Sequence, residues 1–113
     1  MVFKKLARLV LRARISPERA IIDHLPHDLV SEARNLGFTA GVTVQAVKMT
    51  ASDAVSIVSR LGAFGIVINS DFSNAPSYPL TLPKVAQEMA AGGISKEEVE
   101  RATYTNIKNF LKF

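Results

Sequence analysis

Cysteine is missing from this chain, and that one absence excludes disulfides, thiolate nucleophiles and cysteine-ligated zinc centres together. It leaves the redox compartment open. No run approaches about 18 consecutive apolar residues, so no membrane span is expected, and the expected location is the cytoplasm. Histidine is almost as scarce. His24 and His27 are the only two, too few to supply alone the three or so protein ligands that a hydrolytic metal centre uses beside its water. Repeats, low-complexity tracts and linkers are also lacking. Net positive charge is lacking over most of the length: residues 1–19 hold six Lys or Arg and one Glu, and the remainder is slightly acidic. The basicity is therefore local, with no matching field for a nucleic-acid backbone elsewhere.

What is present is a patterned α/β sequence, 48% apolar over 113 residues, enough for the core of one domain. Val2 to Arg14 reads as an amphipathic helix. Phe3, Leu6, Val10 and Ala13 follow one side, and Lys5, Arg8 and Arg12 the other. The expected role is packing on a sheet with a solvated basic face; a membrane-surface helix or a targeting peptide is the alternative. Three short apolar runs, about 19–24, 38–44 and 64–69, are predicted as parallel strands. Gly41 inside the second marks a close backbone approach. Between them lie two helices. One opens at Asp28, carries Leu29, Val30, Ala33 and Leu36, and is capped by Gly37. The other opens on a Thr50–Asp53 capping pair, buries Ala54, Val55, Ile57, Val58 and Leu61, and closes at Gly62.

Right-handed crossovers then bring all three strand C-termini to one edge. Phe72 to Thr81 is a long Pro- and Ser-containing loop. A helical C-terminal tail comes next: a helix with Pro83 in its first turn that ends at Gly92-Gly93, a Ser95–Glu98 capping box, and a last helix near Thr105–Leu111. A closed eight-strand β/α barrel needs about 250 residues, so this chain is expected to form an incomplete one.

Polar chemistry gathers at the strand C-termini, the edge where parallel β/α folds place their sites. His24 is a candidate divalent-metal ligand, or else a hydrogen-bonded residue at the strand–loop junction. Asp23 is expected to face away from it along an extended strand. Asp71 can bind a metal or activate a metal-held water, or cap the Ser73-Asn74 turn. Asn69 shares its strand face, while Ser70 faces away without a definable base. Gln45 and Lys48 can steady an anionic or polar substrate, or merely line a solvated loop. His27 is expected to be exposed. Phe72 and Tyr78 can stack on a ligand or pack their own loop.

Taken in order, Ile21-Ile22-Asp23-His24, Ala40-Gly41-Val42-Thr43-Val44-Gln45 and Ile68-Asn69-Ser70-Asp71 resemble the C-terminal part of TatD-related metal-dependent hydrolases. These are amidohydrolase-type TIM barrels. Pro79-Leu80, Pro83, the Lys84 to Gly93 helix, Gly93-Ile94-Ser95, Glu97-Glu98-Val99 and Tyr104-Thr105-Asn106 extend the resemblance over about residues 15–111.

The resemblance implies a phosphoesterase or deoxyribonuclease-type hydrolase using one or two divalent metals (zinc, manganese or magnesium). His24 would match a late histidine ligand and Asp71 the aspartate of the eighth strand, with Asp71 also catalytic. Ser73 to Tyr78 would border a phosphate-ester substrate, and the Asn106 helix would close the barrel from below. The family's early His-x-His pair, its middle acidic ligand and its other histidine have no counterpart here. Residues 1–113 are therefore expected to be a single incomplete TIM-barrel-like domain, weakly active or inactive alone. Full hydrolysis would need a homo-oligomer or a complementing chain. The alternative is a non-enzymatic structural or interaction domain that oligomerises through its open sheet edge.

Overall fold

Helix α1 (Val2–Arg12) opens the chain, and a 3-10 turn (Pro17–Arg19) leads to the short strand β1 (Ile21–Ile22). Then come α2 (Val30–Asn35), β2 (Thr39–Val44), α3 (Ala51–Leu61) and β3 (Ile66–Ser70). The tail holds α4 (Thr81–Ala91), α5 (Lys96–Glu100), a π-helical turn (Arg101–Thr105) and α6 (Asn106–Leu111). This computed structural model describes residues 2–45, 48–71 and 78–112.

The three strands form one parallel sheet in the order β1-β2-β3. The α/β class, the parallel strands, the crossover helices and the helical tail are therefore as the apolar runs predict. Their bounds are tighter than predicted at the first strand, where the ladder covers only Ile21 and Ile22 before the chain turns. The second helix also starts later. His27–Leu29 is a 3-10 turn and α2 proper begins at Val30.

Register explains the two faces of the sheet. Ala40 pairs with Ile66 and Val42 with Ile68, while Gly41 pairs with Val67 and Thr43 with Asn69. Side chains alternate along a strand. One face, with Ile22, Ala40, Val42, Val44, Ile66 and Ile68, joins the apolar core. The helices complete that core with Phe3, Ala7, Val30, Ala33, Ala54, Ile57, Val58, Val85 and Met89. The other face carries Gly41, Thr43 and Asn69 toward the strand C-termini, together with Ile21 and Val67. Every β2 residue after Thr39 is buried, so the central strand is covered on both sides.

Local chemistry fixes the helix ends. Thr50 and Asp53 form a reciprocal capping box: Asp53 N–H donates to Thr50 Oγ1 at 3.1 Å, and Thr50 N–H donates to Asp53 Oδ2 at 2.8 Å. Ser95 closes only half of the second box. Its Oγ accepts from Glu98 N–H at 3.2 Å, but the Glu98 carboxylate turns away to accept from Ala63 N–H at 2.6 Å. Asn106 Nδ2 donates to the carbonyls of Ala63 and Ile66, each at 2.7 Å. The tail is thereby bonded to the N-terminal end of β3. Arg34 Nη1 ties α2 to the end of α3 by donating to Leu61 O at 2.8 Å.

Candidate functional site

The sheet face opposite the core ends in a network centred on Asp23. Thr43 Oγ1 donates to Asp23 Oδ1 at 3.1 Å, and Asn69 Nδ2 donates to the same oxygen at 3.0 Å. Register places Thr43 and Asn69 side by side on β2 and β3, so the two donors arrive together from adjacent strands. Gly41 makes room for their acceptor. A Cβ there would fall 2.9 Å from the Asp23 Cα and closer still to its carboxylate oxygen. The close approach predicted at Gly41 is thus the seat of Asp23.

His24 adopts a left-handed backbone, φ 54°. That conformation costs a non-glycine residue about 1–2 kcal/mol, and it overturns the expectation that Asp23 and His24 face opposite ways. The strand geometry behind that expectation ends at Ile22. Instead, the chain bends and His24 Nε2 lies 4.0 Å from Asp23 Oδ2. Burial pushes the Asp23 carboxyl up. The bonds from Asn69, the His24 backbone N–H and Thr43, with the electrostatic pull of the His24 ring, outweigh it and hold the group below the ordinary carboxylate range.

A second polar contact lies alongside. Gln45 Nε2 donates to Asp71 Oδ2 at 3.0 Å, joining the residue after β2 to the residue after β3. Gln45 N–H also donates to Met49 O at 2.8 Å, an isolated antiparallel bridge between the residue after β2 and the residue before the Thr50 cap. His24, Thr43, Gln45, Lys48 and Asp71 border one cavity of ≈ 460 Å³, with Leu25, Pro26 and Met49 as its apolar wall.

No family model matches the chain, no curated protein matches its sequence, and no solved structure matches its fold.

Of the residues singled out in the sequence, His24, Gln45, Lys48 and Asp71 meet at the cavity. Asn69 stands beside it, turned to Asp23. Tyr78 is exposed, and its carbonyl accepts from the Thr81 hydroxyl at 2.6 Å. Phe72 and Ser73 lie outside the described residues. His27 sits near Arg60, Nδ1 to Nη2 at 3.4 Å, away from the cavity lining. Two participants were given no role from the sequence: Asp23, set aside by strand alternation, and Thr43, which stands out there only as a polar residue at the C-terminal end of the second strand. The signal for both was Gly41, the one position in the run where a side chain was withheld.

The donor set does not make a complete metal centre. Among the described residues no group of three or more His, Cys, Asp or Glu gathers to hold an ion. Asp71 is engaged by Gln45, and Asp23 Oδ1 by Thr43 and Asn69. What the arrangement offers is a cleft with a cation at Lys48, an imidazole, a carboxylate and the Gln45 amide, the Thr43 hydroxyl proton being given to Asp23. That is chemistry for orienting a polar or anionic group.

Proposed function

We propose that this chain is a partial β/α unit of a TatD-type, metal-dependent hydrolase, keeping one sector of the active rim and weakly active or inactive by itself. One observation carries the reading: three adjacent, co-directional strands end at a single cavity edged by His24, Thr43, Gln45 and Asp71. In parallel β/α proteins that edge is where substrates bind. A phosphate ester suits the cleft, with Lys48 opposing its charge and Gln45 keeping a second amide N–H beside the one it gives to Asp71. Further ligands for zinc, manganese or magnesium would come from a complementing chain or a second copy.

The test measures thermal stability with each of those ions and turnover of a chromogenic phosphodiester, for the native chain and for a His24→Ala, Asp71→Ala double variant. Weak metal-dependent stabilisation, with at most slow turnover, both lost in the double variant, is the expected result. Indifference of stability and turnover to metal and to both substitutions would end the hydrolase reading.

A second reading has its own observation. β1 and β3 each pair on one side only among the described residues, leaving two strand edges for assembly. A non-enzymatic interaction domain that associates through those edges would sediment as an oligomer, whatever metal is added.

A further inference from the structure

Helix α1 shows three strips rather than two. At about 100° per residue, Phe3, Ala7 and Val10 share the strip that faces the core, where Phe3 and Ala7 are buried and Val10 packs against them. Lys4, Lys5, Arg8 and Arg12 occupy a second, solvated strip, and no acidic residue occurs anywhere in the helix. Between these lies a third, formed by Val2, Leu6 and Leu9, which leaves apolar side chains 73%, 44% and 62% exposed. One apolar strip anchors the helix to the protein; the other has no partner within the described chain.

The charge beside the free strip selects its occupant. A second copy docked antiparallel through Val2, Leu6 and Leu9 would set each basic flank against itself, and like charges repel. A nucleic acid would satisfy the cations but leave the leucines in water. An anionic bilayer satisfies both, since the acyl boundary takes the apolar side chains while headgroup phosphates meet Lys5, Arg8 and Arg12. We propose that α1 is a docking face for anionic phospholipid surfaces. Because Phe3 and Ala7 stay in the core, the helix remains on the domain and enters the interface shallowly. It needs neither the cavity nor its residues.

The full chain is floated with vesicles of phosphatidylcholine alone and of phosphatidylcholine with phosphatidylserine. Binding only to the serine-containing vesicles, weakened by salt, is expected. Leu6→Ser with Leu9→Ser should lower partitioning about tenfold. Lys5→Gln and Arg8→Gln should each lower it about fivefold.

The chain has no tryptophan, so Leu9→Trp supplies a single reporter. Its emission should shift blue on anionic vesicles, a readout that keeps the test open if the serine variant misfolds. Failure to bind anionic vesicles overturns the proposal. So does binding that the Leu6, Leu9 double variant leaves unchanged, which would point to a polyanion such as nucleic acid. A dimer that the same variant dissolves would assign the strip to a second copy and overturn it as well.

Discussion

At Gly41 a single absent methyl group sets the arrangement of the rim. Its Cα lies under Asp23, and the aspartate in turn gathers Thr43 and Asn69. Gly41→Ala should destabilise the protein by about 1–3 kcal/mol, the usual range for overpacking a filled site, as measured by urea denaturation. Acid stability tests the network from the other side. The folded Asp23 carboxyl lies below its ordinary value, so its stabilising contribution is present above the unfolded value and fades as pH falls through the folded one. Asn69→Ala removes the hydrogen bond that does most to hold the carboxyl down, and so raises the folded value. Acidification from the unfolded value downward should then cost the variant less additional stability than it costs the native chain, because the gap between the unfolded and folded values has narrowed, seen in urea midpoints across the acid range. The glycine was legible because an apolar strand has no other use for one. The Asp23–His24 pairing was not, because a left-handed histidine leaves no mark in the sequence around it.

Among the elements, α3 was the most legible, since its capping box needs only residues three apart. Thr50→Ala should cost about 1 kcal/mol, the ordinary worth of such a cap, read from the thermal midpoint. The tail was half legible. Ser95 caps α5 as its motif predicts, whereas Glu98 reaches 35 residues back in sequence to Ala63. A contact of that separation has no local signature. The π-helical turn at Arg101–Thr105 is likewise invisible to periodicity. Its wider turn alters the phase of α6, and Asn106, the first residue of that helix, reaches β3. Asn106→Ala strips the Ala63 and Ile66 carbonyls of their side-chain donor and should cost about 1–3 kcal/mol. Limited proteolysis should then cut the α5–α6 tail before the sheet.

Across the whole molecule, the parallel strand direction came from apolar runs joined by helices, because right-handed crossovers bring successive strands back in the same direction. Site convergence was legible only in part. Common direction brings strand ends to one edge, but which side chains meet there depends on register and on the bend at His24. The chain's edges carry a further expectation: if β1 and β3 accept strands from a second copy, sedimentation should show concentration-dependent association that survives high salt. β1 contributes two ladder residues and β3 five, while β2 alone is held on both flanks. Amide protons in the middle of β2, around Val42, should therefore be the last in the protein to trade with deuterium, and those of Ile21 and Ile22 among the first of the sheet. The order of exchange would run outward from the strand that carries both Gly41 and Thr43, making the support beneath Asp23 the most persistent part of the fold.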